Sequence, residues 1–178
     1  AQIMPPIRVV QTFKPVAIAN PAEGVYVFDF GQAFTGWSRL QVEGPAGIEV
    51  KLKHGMAAYD DGSLDHRSSW NDKFPRHAAR QTDTYILKGE GAEIWEPRFT
   101  VHGFRYVEVT GYPGTPTPES LEGRHVRSAV DVVGEFTCSN DLLNKVHNMV
   151  HWTLASSLQG YPQDAADRSE RVGWTGDE

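Results

Sequence analysis

The chain of 178 residues has little cysteine and no long apolar run, and both shortages exclude whole classes of protein. Its single cysteine, Cys138, cannot form an internal disulfide or supply a multi-cysteine zinc site. No apolar stretch reaches the roughly eighteen residues of a membrane-spanning helix. The amino terminus, A-Q-I-M-P-P-I-R, lacks the apolar segment of a signal peptide, but a chain that begins in mid-protein would not show one. The sequence therefore leaves the compartment open.

Basic charge is also scarce. The chain has 17 lysines and arginines against 23 acidic residues, which gives a formal net charge of −6 at pH 7. This balance, without a basic cluster, argues against nucleic acid or an anionic membrane as a partner. The sequence contains no G-x-S-x-G elbow, phosphate loop or dinucleotide fingerprint, and we expect no organic cofactor. A hydrophobic content of 39% is ordinary for a globular protein, and the length allows one core with a piece of a second domain.

Most of the chain has the pattern of a β protein. Short segments of alternating or β-branched residues, ended by glycine and proline, predict half-buried strands. The strands are predicted at 25–30, 37–42, 48–53, 82–87, 98–101 and 104–109, with weaker candidates at 125–130 and 132–137. Residues 1–20 are predicted to be a linker that leads into a first strand. Such short, closely spaced strands are typical of an antiparallel sandwich, which we place at 21–138.

The hydrophobic period changes at Ser139, which is a favourable N-cap for a helix. Apolar residues then recur at helical spacing, and they predict one buried face: Leu142, Leu143, Val146, Met149, Val150 and Leu154. We expect the helix to run to Leu158, because Gly160 and Pro162 follow it. Residues 139–178 would then begin a second, α-helical domain.

Two histidines, His147 and His151, lie four residues apart on this predicted helix, as zinc ligands can. The stretch H-N-M-V-H lacks the glutamate of the H-E-x-x-H motif, and the sequence offers no obvious third ligand. We therefore predict no metal site.

The stretch 164–177 concentrates the chemistry of the chain. It reads D-A-A-D-R-S-E-R-V-G-W-T-G-D, and two glycines in it favour an ordered loop over a continuous helix. Four acids, two arginines and a tryptophan share this loop: Asp164, Asp167, Glu170, Asp177, Arg168, Arg171 and Trp174. Acids among arginines around an indole suit a sugar pocket, and glycosidases need paired carboxylates. The same composition also fits a solvated, salt-bridged loop.

The stretch resembles the signature D-C-P-Q-R-x-E-R-x-G-W-x-G-D of bacterial α-L-rhamnosidases of glycoside hydrolase family 78. Eight positions match: Asp164, Arg168, Glu170, Arg171, Gly173, Trp174, Gly176 and Asp177. The sequence differs at 165–167, where Ala-Ala-Asp replaces Cys-Pro-Gln. Further wording is similar at 29–32, 95–100, 102–109 and 136–145, which read D-F-G-Q, W-E-P-R-F-T, H-G-F-R-Y-V-E-V and F-T-C-S-N-D-L-L-N-K. The resemblance implies a jelly-roll-like β-sandwich followed by the first helix of an (α/α)6 barrel.

The resemblance also implies an activity and the residues that perform it. A glycosidase of this family cleaves terminal α-L-rhamnosyl residues with inversion, so its substrate is a rhamnose-containing oligosaccharide, polysaccharide or glycoside. Glu170 matches the general acid, and Asp164 and Asp177 match acids that bind sugar hydroxyls. Trp174 would stack on the sugar ring, and Arg168 would hold either Asp164 or the substrate. The general base would lie downstream of residue 178, so we expect this chain alone to be catalytically incomplete.

Two other interpretations stay open. The sandwich could be a non-catalytic carbohydrate-binding module, with Trp37, Trp70 and Trp95 as stacking residues. It could instead be a structural docking module whose exposed apolar face requires the barrel.

Overall fold

The computed structural model describes residues 4–69, 79–168, 171 and 173. In these ranges the chain forms eight strands and one long helix, in the order β1 (Ile7–Phe13), β2 (Ala17–Ala22), β3 (Val25–Glu43), β4 (Glu49–Gly55), β5 (Thr82–Ile86), β6 (Ala92–Trp95), β7 (His102–Thr110), β8 (Leu121–Ser128) and α1 (Asp141–Ser157). A short 3-10 helix, Pro118–Ser120, precedes β8. The predicted class, mainly antiparallel β followed by a helix, is confirmed.

The strands form one curled antiparallel sheet organised around β3. The order is β1-β8-β3-β7-β4-β5, and both β2 and β6 also pair with β3. The first part of β3 pairs with β2 and β7, and its later part pairs with β8 and β6. Its register against β7 shifts between Asp29 and Phe34, where Gly31 has a φ of +72°. This bulge bends β3, so one strand serves both sides of the core.

The core lies on the inner face of the curled sheet and is centred on phenylalanines. Phe34 is 1% exposed, and its ring centroid lies 4.6 Å from that of Phe13 and 4.6 Å from that of Phe104. Phe30 meets the rings of Phe34 and Phe104 nearly edge-on, each at 5.9 Å. Aliphatic residues complete the buried cluster: Leu40, Val42, Val50, Leu52, Leu87, Val107, Val109 and Leu121.

Several strand predictions need correction. The strands predicted at 25–30 and 37–42 form a single strand, because Gly31 bends β3 without ending it. Residues 98–101 and 132–137 are not strands. Strand β6 was not predicted. In the segment 132–137 Val133 is 95% exposed, so its β-branched side chain has no partner surface in the described part of the chain. Most of the predicted linker, residues 1–20, lies in strands β1 and β2 of the sheet. The division at 20 and 138 stays a prediction.

Helix α1 begins one residue later than predicted. Its N-cap is Asn140 and not Ser139, because the Asn140 Oδ1 accepts the backbone N–H of Leu142 at 2.9 Å and of Leu143 at 3.4 Å. Asn144 also exchanges two hydrogen bonds with the backbone of Cys138, which fixes the approach to the helix. The end of the helix at Ser157 lies one residue before the predicted end.

The prediction of a buried apolar face on α1 is wrong for the described part of the chain. The six residues are between 42% and 67% exposed: Leu142, Leu143, Val146, Met149, Val150 and Leu154. The helix meets the sheet through Trp152, whose ring lies 5.9 Å from that of Phe13 and 5.6 Å from that of His125. Hydrophobic periodicity locates an apolar stripe but does not say which surface covers it. The described part of the chain has no helix with the length and apolar character that crossing a membrane requires.

Candidate active site

The chain after α1 is attached to the end of β8. The Ser128 N–H donates to the carbonyl of Leu158 at 2.8 Å, and the Gly160 N–H donates to the Ser128 Oγ at 2.8 Å. The buried side chain of Gln159 donates to the carbonyl of Val126 at 2.7 Å. These bonds fix residues 158–160 against the end of β8, shortly before residues 164–168, the described start of the signature stretch.

Two of the five predicted site residues lie in the described part of the chain. Asp164 and Arg168 are exposed, and both line a cavity of about 500 Å³ between β3, α1 and the signature stretch. Lys145 and Asn148 of α1 line the same cavity. The other three predicted residues, Glu170, Trp174 and Asp177, lie outside the described residues.

Asp167 is a functional candidate that the sequence analysis names as one of the four acids of the stretch and as a departure from the family wording, without giving it a role. It lines the same cavity, and its side chain is 18% exposed. Burial raises the pKa of Asp167, whereas the positive charges of Arg168 and Arg171 oppose this rise. The Arg168 Nε lies 4.0 Å from the Asp167 Oδ1. The predicted role of Arg168, to hold Asp164 or the substrate, stays a prediction. The signal was present in the sequence, as an acid at a position where the family has glutamine.

Arg171 connects the signature stretch to the rest of the fold. Its carbonyl accepts the Tyr161 hydroxyl at 3.0 Å, and its Nε donates to the carbonyl of Arg168 at 3.3 Å. Burial lowers the pKa of the Arg171 guanidinium, although it still carries its charge at neutral pH.

Arg171 also lines a broad groove at the sheet, together with two of the predicted stacking residues, Trp37 and Trp95. The Trp37 Nε1 donates to Glu96 at 2.8 Å, and the ring of Trp95 stacks on Tyr85 at 5.1 Å. Both indoles are therefore partly engaged inside the protein. Trp70, the third predicted stacking residue, lies outside the described residues.

A buried polar network that the sequence analysis missed lies beside the signature stretch. The His54 Nδ1 faces the carbonyl of Gln81 at 3.1 Å and must donate to it, so the Nε2 accepts the Ser38 hydroxyl at 2.9 Å. The His54 ring stacks on that of His102 at 4.3 Å, and the His102 Nε2 donates to Asp83 at 3.0 Å. Its members come from four separate segments, so no local motif could reveal it.

Three members of this network could in principle hold a metal ion. Ligand atoms of His54, Asp83 and His102 lie within 4.8 Å of one another. The two imidazole rings are stacked at an interplanar angle of 25°, so their nitrogen lone pairs do not converge on one point. Both nitrogens of His54 already have protein partners. The arrangement therefore fits a hydrogen-bond network better than a metal centre. His147 and His151 have no third ligand among the described residues.

Comparison with known proteins matches two family models. Residues 19–127 match the bacterial alpha-L-rhamnosidase concanavalin-like domain, and residues 131–178 match the bacterial alpha-L-rhamnosidase 6 hairpin glycosidase domain. The curated alpha-L-rhamnosidase of Streptomyces avermitilis is 40% identical over 177 residues, which is 99% of this chain and 16% of that protein.

Solved structures of such enzymes are similar in fold. The alpha-L-rhamnosidase from Dictyoglumus thermophilum superposes with a TM-score of 0.92 at 48% identity, covering 99% of this chain and 19% of that one. The Streptomyces avermitilis enzyme, solved with L-rhamnose, has a TM-score of 0.91 at 40% identity over 99% of this chain and 16% of that chain. The chain thus spans less than a fifth of the length of these relatives. The first family model covers more than half of the residues, and the chain therefore belongs to the bacterial α-L-rhamnosidase family.

Proposed function

We propose that the protein containing this chain hydrolyses terminal α-L-rhamnosyl linkages with inversion, by general acid/base catalysis. The observation that carries the proposal is the 40% identity to a curated alpha-L-rhamnosidase along 99% of the chain, including the signature stretch. The cavity lined by Asp164 and Arg168 adds a concave surface beside that stretch. The substrate would be a rhamnose-containing oligosaccharide, polysaccharide or glycoside.

In this proposal Glu170 is the general acid. It gives its proton to the glycosidic oxygen as the bond to the leaving group breaks, and an acid can do this near neutral pH only if its pKa is raised. Asp167, three residues earlier, shows that this stretch can hold a carboxyl away from water, because burial raises the pKa of Asp167.

Substrate binding would use the remaining predicted residues. Asp164 and Asp177 would accept hydrogen bonds from sugar hydroxyls, Trp174 would stack on the sugar, and Arg168 would donate to the sugar. The exposure of Asp164 and Arg168 at the cavity leaves both side chains accessible for these contacts. Inversion further requires a base carboxylate, at roughly 6.5–9.5 Å from the acid, that activates a water on the opposite face of the sugar. We place that base in the part of the protein beyond residue 178.

The decisive experiment is turnover of p-nitrophenyl α-L-rhamnoside by the full-length protein and its Glu170→Gln variant. Loss of the general acid should lower kcat by about 10²–10⁴-fold, most strongly on poor leaving groups. Glu23→Gln is a matched control, because Glu23 is an exposed carboxylate in the turn between β2 and β3. Absence of turnover on any rhamnoside would disprove the proposal, and full activity of Glu170→Gln on methyl α-L-rhamnoside, whose poor leaving group needs protonation, would disprove the role of Glu170.

Inversion has its own test. Proton NMR of the anomeric signal during early hydrolysis should show β-L-rhamnose first, before mutarotation mixes the anomers. Early α-L-rhamnose would indicate retention and a covalent intermediate in its place.

A carbohydrate-binding role for the sandwich is the second candidate. The observation that favours it is the position of Trp37 and Trp95 in one open groove. Rhamnose should then quench the tryptophan fluorescence of residues 1–138 alone, and Trp37→Ala should weaken that binding. If only the full-length protein binds the sugar, this role is excluded.

A further inference from the structure

The signature stretch packs on strand β7 at Gly103. Gly103 of β7 lies directly under the peptide bond between Ala166 and Asp167. A β-carbon on Gly103 would lie 2.7 Å from the Ala166 carbonyl carbon and 2.7 Å from the Asp167 nitrogen, whereas ordinary contacts are 3.4–4 Å. The contacting atoms are backbone, so no side-chain rotation can relieve this crowding. The stretch therefore packs directly on the backbone of Gly103, which lines the same cavity as Asp164 and Arg168.

The backbone of Gly103 is itself held by one side chain. The Gly103 N–H donates to the Gln81 Oε1 at 2.9 Å, and its carbonyl accepts the Gln81 Nε2 at 3.1 Å. Strand β4 pairs with β7 only as far as Gly55 opposite Tyr106. Beyond that point the Gln81 amide takes the place of the missing strand for Gly103.

Gln81 is fixed in a conformation that it would not adopt freely. Its φ is +44°, in the left-handed region that residues other than glycine rarely occupy. Its carbonyl accepts both the backbone N–H of His54 at 2.9 Å and the ring N–H at 3.1 Å, and its Nε2 donates to Ser69 at 2.8 Å. A strained backbone held by this many bonds is typical of sites that must be precisely arranged.

The residue opposite Gly103 fixes the helix as well. Thr35 of β3 pairs with Gly103, and its hydroxyl donates to the carbonyl of Ser156 at 2.6 Å near the end of α1. The paired residues Thr35 and Gly103 therefore contact both the end of α1, through Thr35, and the signature stretch, through Gly103.

We propose that Gly103, held by its two hydrogen bonds to Gln81, is a positioning residue. It sets the distance between the signature stretch and the sheet and so aligns the general acid with the glycosidic oxygen. This inference rests on the proposed function, in which Glu170 is that acid. Gly103 has no side chain that could act on the substrate, so its proposed role is indirect. It acts through the Ala166–Asp167 peptide, which comes shortly before Glu170 in sequence.

Three glycine-to-alanine variants of the full-length enzyme separate positioning from stability. Gly103→Ala must move the stretch from 2.7 Å to an ordinary contact, and a misplacement approaching 1 Å can lower kcat by about 100-fold. Gly44→Ala instead places a methyl 2.7 Å from the Pro113 ring, away from the residues that line the cavity, so it should lower the Tm without moving the stretch. At Gly134 a β-carbon meets nothing within 4 Å, so Gly134→Ala should change neither property.

The informative readout is the dependence of kcat on the leaving group. A misplaced acid should matter less for p-nitrophenolate, a good leaving group that needs little protonation, than for methanol from methyl α-L-rhamnoside. We expect Gly103→Ala to lose about 100-fold in kcat on the methyl rhamnoside, several-fold less on the nitrophenyl substrate, and little in KM. If Gly103→Ala does not fold, Gln81→Glu is a second variant, which adds no volume under the stretch, retains an acceptor for the Gly103 N–H and loses the donors to the Gly103 carbonyl and Ser69. It should shift the same leaving-group ratio in the same direction.

Equal losses on both substrates, or kinetics indistinguishable from those of Gly44→Ala, would overturn the positioning role while leaving the proposed function intact. Wild-type enzyme without turnover on either rhamnoside would remove both proposals together.

Discussion

His54 should make the stability of the sandwich sensitive to acid. The side chain is 2% exposed, and burial, helped by the positive charge of nearby His102, lowers its pKa to about 3. Asp83 and the bond to Gln81 oppose that shift without reversing it. The neutral ring fits its partners, because one nitrogen donates to the Gln81 carbonyl while the other accepts from Ser38. A second proton on His54 would face the Ser38 hydroxyl donor and require that bond to rearrange.

The size of the effect follows from linkage. The pKa of the same histidine in the unfolded chain is about 6.5, so the folded state resists protonation and its stability is complete only above that value. As the pH falls from 6.5 towards 3, the unfolded state gains a proton that the folded state does not take up. At pH 5 the free energy of unfolding should be about 2 kcal/mol lower than at pH 8 from this residue alone.

Urea denaturation of the 178-residue chain at pH 8, 6.5 and 5 measures this loss, with His54→Asn as the comparison. The variant should be less stable than wild type at pH 8, because Ser38 loses its acceptor and the core loses volume. The gap between the two proteins should narrow by about 2 kcal/mol between pH 8 and pH 5, since the variant has no proton to take up there. Long-range proton–nitrogen NMR of labelled histidine should also show the Nδ1–H tautomer of His54 at both pH values.

Parallel stability curves for the two proteins would refute this reasoning. An imidazolium signal for His54 at pH 5 in the folded protein would refute it equally, since the ring would then be charged inside the core.

Two further perturbations test other contacts. Asp29 accepts Arg105 at 2.8 Å through both carboxylate oxygens, which lowers the pKa of Asp29, so Asp29→Asn should cost about 1–2 kcal/mol at pH 7. That cost should fade as the pH drops below about 3.8, whereas removing the exposed carboxylate by Glu49→Gln should cost under about 0.5 kcal/mol. At the start of α1, Asn140→Ala should cost about 1 kcal/mol and Ser139→Ala almost nothing, because only the Asn140 side chain caps the helix. Thermal and urea denaturation measure each pair, and equal effects of Asn140→Ala and Ser139→Ala would contradict the assigned cap.

The fold class was predictable because alternation and glycine spacing are local properties. The alternating segments at 48–53 and 104–109 became β4 and β7 for this reason. Gly31 shows the limit of that reasoning. In sequence it is a strand terminator, but the pairing of β3 with β7 on both sides of the bulge keeps the strand continuous. Whether a glycine ends or bends a strand depends on partners more than sixty residues away, which local patterns do not contain.

The candidate site shows the same division. The wording of the signature stretch singled out Asp164 and Arg168, and both line the cavity, although their roles stay predictions. Gly103 and Gln81 could not be singled out, because their importance arises from contacts between segments far apart in sequence. Asp167 was visible in the sequence as an acid where the family has glutamine, but the burial that raises its pKa was not.

The pairing of β1 with β8 has a consequence for biosynthesis. Ile7 lies opposite Ser128, so β1 leaves the ribosome about 120 residues before its neighbour β8 exists. At bacterial translation speeds this delay is on the order of ten seconds, during which Ile7–Phe13 remains an open edge that other nascent chains could join. Because β1 meets its partner only after this interval, chaperones that hold emerging segments have an opportunity to act on this part of the chain.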